Sequence, residues 1–163
     1  MTPLMSSEKD YIVHLNPVWR ERANYIVDAK LEAPDSRRQY EQLWARRVDH
    51  RHFEICCIPF FLYDVNLGDE VATRAEGDRL YVVEGVVTAS NRYTFRVWFG
   101  ESSAPNARNE VVRQLGETEL LEWYSTNLLA VDAPTIERAQ SIADYLETKE
   151  RERQLMYETG RTA

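Results

Sequence analysis

Cysteine, glycine and histidine are all scarce in this chain, and each scarcity excludes something. The 163 residues hold two cysteines, six glycines and three histidines. Cys56 and Cys57 are adjacent, so on a strand they point to opposite faces, and a disulfide between such neighbours is strained. Two reduced thiols in a buried strand are expected instead, which fits a cytoplasmic location. So few glycines leave little material for a phosphate cradle, and neither GxGxxG, a Walker A loop nor a GxSxG elbow is present. The histidines are His14, His50 and His52. His50 and His52 would share one face of an extended segment, beside thiols that can ligate zinc. No CxxC or HExxH accompanies them, and adjacent cysteines cannot face one metal, so they read as exposed turn histidines. No catalytic residue, metal or cofactor is expected.

Long apolar runs are missing too. None approaches the roughly 20 residues that span a bilayer, and MTPLMSSEKDYIVHLNP lacks the basic head and apolar core of a secretory signal. The chain also lacks an excess of positive charge. Its 20 Lys and Arg face 27 Asp and Glu, a formal charge of −7. Phosphate neutralisation dominates nucleic-acid affinity, so DNA is not an expected partner. A basic or neutral protein suits this charge better.

What is present is ordinary core material: 44% hydrophobic and 11% aromatic residues, enough for a folded chain of this length. Residues 1–20 show no sustained period and read as an N-terminal arm. Residues 21–91 are β-rich. Strands are expected over 23–31, 40–48, 70–74 and 80–88. The apolar decapeptide FEICCIPFFL (53–62) reads as a core strand that ends or moves to an edge at Pro59. Short strands between Gly and Asp turns predict an SH3-like barrel or a curled antiparallel sheet.

Over 92–160 the hydrophobic period switches in a definite order. Residues 92–99 read as strand, 106–116 as helix, 120–124 and 128–132 as strands, 134–148 as helix and 154–158 as strand. That order predicts a ferredoxin-like βαββαβ sandwich, making the whole chain α+β. The second helix is expected to start from Asp132 as N-cap, with Ile136, Ala139, Ile142, Ala143 and Leu146 as its buried stripe.

The strand RYTFRVWFG puts Arg92, Thr94, Arg96 and Trp98 on one face, and Tyr93, Phe95, Val97 and Phe99 on the other. Interleaved Arg and aromatics resemble the platforms on which RNA bases stack. The plainer reading has Phe95 and Val97 facing the core while Arg92 and Arg96 pair with neighbouring acids. Trp, Tyr and Arg also anchor protein interfaces. Trp44, Arg92, Arg96, Trp98, Trp123 and Tyr124 are therefore the candidate partner or ligand surface. Glu41 beside Trp44, and Asp64 near Asp69, read as turn caps and surface charges rather than an acid–base pair.

The segments LWARRVDHRHFEICCIPFFLYDVNLGDEV, SNRYTFRVWF and LLEWYSTNLLAVDAP together resemble a bacterial family, the domain of unknown function numbered 4265, over roughly residues 40–158. The resemblance brings no catalytic residues with it. It implies small cytosolic proteins without a cofactor motif, the profile of proteins that bind or neutralise a partner. The expected function is thus a non-enzymatic bacterial binding protein, an immunity-type or regulatory partner of another protein such as a toxin. The alternative is a module that senses a nucleotide or small metabolite on the sheet face. Neither a membrane nor DNA is an expected partner, and a homodimer through free sheet edges is compatible with the pattern.

Overall fold

A computed structural model describes residues 10–32, 39–78, 80–100 and 105–160. It is a mixed α+β fold with one large sheet, one small sheet and two helices. The large sheet is formed by β1 (Asp10–Ile12), β2 (Tyr25–Leu31), β3 (Gln39–Arg47), β4 (His52–Ile55), β5 (Glu70–Glu76) and β6 (Leu80–Thr88). Its order is β1-β3-β2-β6-β5-β4, and β3 also pairs with β4, so five of the strands close into a ring. The nine residues of β3 make this possible: residues 39–45 pair with β2, and Ala45 to Arg47 pair with β4. Val27, Leu43, Ala45, Phe53, Ile55 and Val71 fill the interior, because alternate residues of each strand point inward.

The small sheet follows in sequence: β7 (Tyr93–Trp98), α1 (Pro105–Gly116), β8 (Leu120–Trp123), β9 (Leu128–Ala133), α2 (Ile136–Arg151) and β10 (Met156–Thr159). Its order is β10-β7-β9-β8, antiparallel throughout. Phe95, Val97, Leu129 and Val131 face Val111 and Leu115 of α1 and Ile142 and Leu146 of α2. The opposite face is covered by the chain between β4 and β5, where Ile58, Phe60 and Leu67 cluster with Ala130 of β9. That connection is the seam between the two sheets.

Its tightest point is Gly68, at φ +83, a conformation that favours glycine. A Cβ there would meet the Ser90 side chain at 3.1 Å.

Several expectations need correction. The decapeptide 53–62 is core, but its strand stops at Ile55, well before Pro59. The remainder is irregular and still buried, because side-chain carboxylates take the place of a neighbouring strand for its backbone N–H groups. Cys56 and Cys57 are free and buried in this irregular stretch rather than in a strand. The segment read as an arm is built into the fold from Asp10 onward, where β1 pairs in parallel with β3; residues 1–9 lie outside the described residues. Thr135, not Asp132, caps α2 by accepting from the Arg138 N–H at 3.1 Å. Asp132 belongs to β9 and is spent on Arg92. Ile136, expected in the buried stripe, is exposed, since it sits in the first turn ahead of the sheet contact.

Candidate functional site

Two charged arrangements occupy the seam. The first is closed. His14 is buried between Glu41 of β3 and Glu122 of β8, with Nε2 and Nδ1 each 2.7 Å from a carboxylate oxygen. Its ring stacks on Phe60, with centroids 4.0 Å apart and an interplanar angle of 5°. Glu41 also accepts from the backbone N–H groups of Phe60 (2.7 Å), Phe61 (3.0 Å) and Leu62 (3.0 Å). Glu122 accepts from Ile58 at 2.5 Å and Val18 at 3.4 Å. Every oxygen has a partner.

The titration of this trio follows from its contacts. Burial works against a charge on His14, but the Glu122 and Glu41 carboxylates outweigh it and hold the imidazole above its ordinary value. Burial likewise works to raise Glu41, yet His14 and the backbone donors hold it below the usual carboxylate range. The Cys57 thiol is pushed up by burial, so it stays protonated at neutral pH and the carboxylates hold the imidazolium. Although Cys57, His14 and a carboxylate invite comparison with a nucleophilic triad, both ring nitrogens are occupied by carboxylates. The thiol is buried and protonated. The trio joins the N-terminal segment, the ring and the small sheet.

The second arrangement is open. A groove of about 840 Å³ runs along the seam, lined by residues that include Lys30 of β2, Tyr63, Arg96 of β7, Tyr124 and Glu158 of β10. Arg96 is 3% exposed. Its Nη1 donates to Glu158 at 3.3 Å, its Nη2 donates to the Leu62 carbonyl, and the Tyr63 ring lies 4.7 Å from the guanidinium carbon. Its Nε has no acceptor among the described residues. Glu158 is held from the other side by the Tyr63 hydroxyl, which donates at 2.7 Å and whose own pKa is raised by that bond. Lys30 forms no ion pair with any described residue, leaving an exposed ammonium at the groove.

The six sequence-derived candidates do not form one patch. Arg96 and Tyr124 meet in the groove. Trp98 and Tyr124 belong to one cross-sheet row: Met156 pairs with Trp98, Trp98 with Leu128, and the Tyr124 N–H donates to the Leu128 carbonyl. Met156, Trp98 and Tyr124 of that row are exposed. The others lie apart. Arg92 forks onto Asp132, with Nη2 to Oδ2 at 2.6 Å, under Trp19. Trp123 packs beside Phe99 with Arg108 over its ring. Trp44 is half-buried and donates from Nε1 to the His14 carbonyl at 3.1 Å.

Arg92 and Arg96 pair with acids and Phe95 and Val97 are core, as the plainer reading of that strand expected. An open stacking platform is not available there. Thr94 and Arg96 are covered by the seam, Thr94 donating to Asn66 at 2.6 Å. His52 is tied to Asp49 at 2.7 Å, and among the described residues no three His, Cys, Asp or Glu side chains are grouped as metal ligands. Asp69 does cap turns, accepting from the Asn66 and Ser90 N–H groups at 2.8 Å. Glu41 is no surface charge: it is fully buried. Its position in phase with Leu43 and Ala45 was the available signal. His14, Tyr63, Glu122 and Glu158 carried none, because their partners are distant in sequence, and Lys30 carried none because an exposed lysine on a strand is ordinary.

A model of a protein family described as "Domain of unknown function (DUF4265)" matches residues 41–157. The chain belongs to the DUF4265 family. The matched stretch begins at Glu41 and takes in Glu122, Arg96 and Tyr124, but not His14 or Lys30. No curated protein matches the chain. Among solved structures, it is similar to a "hypothetical protein from Neisseria gonorrhoeae", with a TM-score of 0.68 and 19% identity over 82% of this chain and 92% of that one. A likeness at that identity speaks for the fold alone. Among the described residues, no helix is long and apolar enough to cross a membrane.

Proposed function

We propose that this DUF4265 chain is a non-enzymatic binding protein of the bacterial cytoplasm, an immunity-type or regulatory partner that grips an acidic group of another protein in the Arg96 groove. One observation carries the reading: a buried guanidinium that lines a large groove has its Nε donor unfilled among the described residues. A buried donor without an acceptor costs about 1–3 kcal/mol, which an incoming acceptor recovers. Beside it, Lys30, which has no ion-pair partner among the described residues, adds positive charge against the groove's Glu32, Asp64 and Glu158, and Tyr124 in the groove, with Trp98 and Met156 along the same sheet row, adds the exposed aromatic and sulfur-bearing surface that interfaces favour.

A second reading has an observation of its own. The groove volume of about 840 Å³ lies within the roughly 300–1,000 Å³ of small-molecule sites, and the Tyr63 and Tyr124 rings could flank a flat base. On this reading the occupant is a nucleotide or another small anionic metabolite. For either, we take the ring of 21–91 as SH3-like and the four-stranded unit of 92–160 as ferredoxin-like. The closure of β3 onto β4 and the order β10-β7-β9-β8 support those names.

The test pairs the purified chain with the products of genes adjacent to its own. Size-exclusion chromatography should give a stable complex with one of them, and co-expression should rescue a host if that product is a toxin. Lys30→Glu combined with Tyr124→Ala should abolish the complex. A complex indifferent to the double substitution would remove the groove from the interface. No complex with any neighbour, together with a thermal shift on adding nucleotides, would replace the first reading by the second.

A further inference from the structure

A second pocket lies on the far side of the small sheet, bounded by α1, α2 and the turn at 117–119. It measures about 250 Å³. Two of the residues lining it carry buried polar atoms without a hydrogen-bond partner among the described residues, Glu119 Oε2 and the Tyr145 hydroxyl. The Glu119 side chain is fully buried. Its other oxygen, Oε1, accepts from Nε of Arg138 at 2.7 Å and again from Nη2 of the same guanidinium. Nη2 also donates to Thr118 Oγ1 at 2.7 Å. Arg138 is therefore engaged with Oε1 and Thr118 and leaves Oε2 unserved.

From this arrangement we infer that the pocket binds a small organic ammonium group. An ammonium brings three donors, one for Glu119 Oε2 and one for the Tyr145 oxygen, while the Leu115 and Ile142 side chains lining the pocket accept a short aliphatic stem. An anion is disfavoured there, since Glu119 and Glu117 both line the space and the one lining cation among the described residues, Arg138, is already bonded to Glu119 and Thr118. The volume limits the part of the cation held inside to a few carbons, the pocket being smaller than the roughly 300 Å³ at which drug-sized sites begin. The inference is independent of the groove on the opposite face.

The ammonium could arrive as a free amine or as the lysine side chain of a protein, and one experiment separates these. Methyl NMR of Leu115 and Ile142 is followed while n-butylammonium chloride, sodium butyrate, or an acetylated Gly-Gly-Lys-Gly-Gly peptide is added at matched ionic strength. Butylammonium should shift both methyl sets saturably and butyrate should not. Glu119→Gln, which keeps an acceptor for Arg138, should weaken binding at least tenfold, and Tyr145→Phe several-fold. Should Glu119→Gln fail to fold, Tyr145→Phe carries the test. A lysine peptide that binds as tightly as butylammonium or tighter assigns the pocket to a protein side chain, and a weaker peptide assigns it to a free amine. No saturation with either, an equal response to butyrate, or full binding to folded Tyr145→Phe and Glu119→Gln overturns the inference. Lys30→Glu with Tyr124→Ala should leave the titration unchanged.

Discussion

Glu122 and Arg96 share one cross-strand row of the small sheet, with Ala130 between them, and they have opposite fates. Both are nearly fully buried, and both meet the same covering segment, Glu122 through the Ile58 N–H and Arg96 through the Leu62 carbonyl. At the Glu122 end, His14 and Glu41 close the network and no oxygen is left over. At the Arg96 end the carboxylate partner is half-exposed Glu158, held at 3.3 Å, and Nε is left without an acceptor. A completed buried network holds elements together, whereas an incomplete one beside solvent is a place to receive something. The difference lies in closure, not in charge.

The largest effect should come from breaking the closed end. His14→Ala leaves Glu41 and Glu122 facing each other without the imidazolium, and removal of one partner from a buried ionic network costs about 3–5 kcal/mol. Arg96→Leu should cost less, because the stranded Glu158 carboxylate can turn to water. Urea unfolding of the two variants side by side decides this. A midpoint for His14→Ala equal to or above that of Arg96→Leu would mean that closure contributes nothing.

Next in size is the pH dependence of the closed end. His14 has its pKa raised in the folded state above its ordinary 6.5. Its contribution is fully present below pH 6.5 and is lost as pH rises through the raised value, by at most about 1.4 kcal/mol per pH unit. Glu41 is shifted down from 4.5. Its contribution is present above that value and is lost as pH falls. Stability should therefore peak between the two, near pH 5–6, and decline on both sides. Above pH 9 the buried thiols of Cys56 and Cys57, whose pKa values are raised by burial, add to the alkaline decline. The interval from pH 6.5 to 9 belongs to His14, and there the slope of unfolding free energy against pH should flatten in His14→Ala. An unchanged slope would assign the titration elsewhere.

The contrast between the ends also explains what sequence could and could not reveal. Elements with a sustained period were legible: strand 93–98 and the two helices stand close to their expected limits, because one face of each packs on a continuous apolar layer. The 53–62 stretch was legible as core but not as irregular, since its backbone is satisfied by carboxylates from β3 and β8 that no local pattern announces. Glu41 was misjudged because carboxylates are usually solvated, although its phase with Leu43 and Ala45 placed it inward. Of the candidate surface, Arg96 and Tyr124 meet in the groove because alternation on β7 and the β8–β9 turn bring them to the same face. Arg92 drops out because it pairs with an acid, as the plainer reading of its strand expected, although no local pattern named the partner, the Asp132 carboxylate 40 residues away. Burial pushes the Asp132 carboxyl up, and Arg92 offsets that only in part.

The smallest effect on stability should come from the open end, and its smallness is what makes it informative. Lys30→Ala removes an ammonium with no described ion-pair partner, and Tyr124→Leu trades one exposed apolar surface for another while losing the ring contacts to Phe60 and Phe61. Substitutions of exposed residues away from caps and networks stay within about 0.5 kcal/mol, so Lys30→Ala should unfold at the parent midpoint, and Tyr124→Leu should cost no more than about 0.5–1.5 kcal/mol for each of its two aromatic pairs. A groove kept for a partner predicts stability retained and binding lost in both variants. A groove that merely closes the seam predicts the reverse: a destabilisation approaching that of His14→Ala, with no change in what the chain binds. Measuring unfolding midpoint and complex formation on the same two proteins separates these outcomes, because no single structural role for Lys30 moves the second quantity without the first.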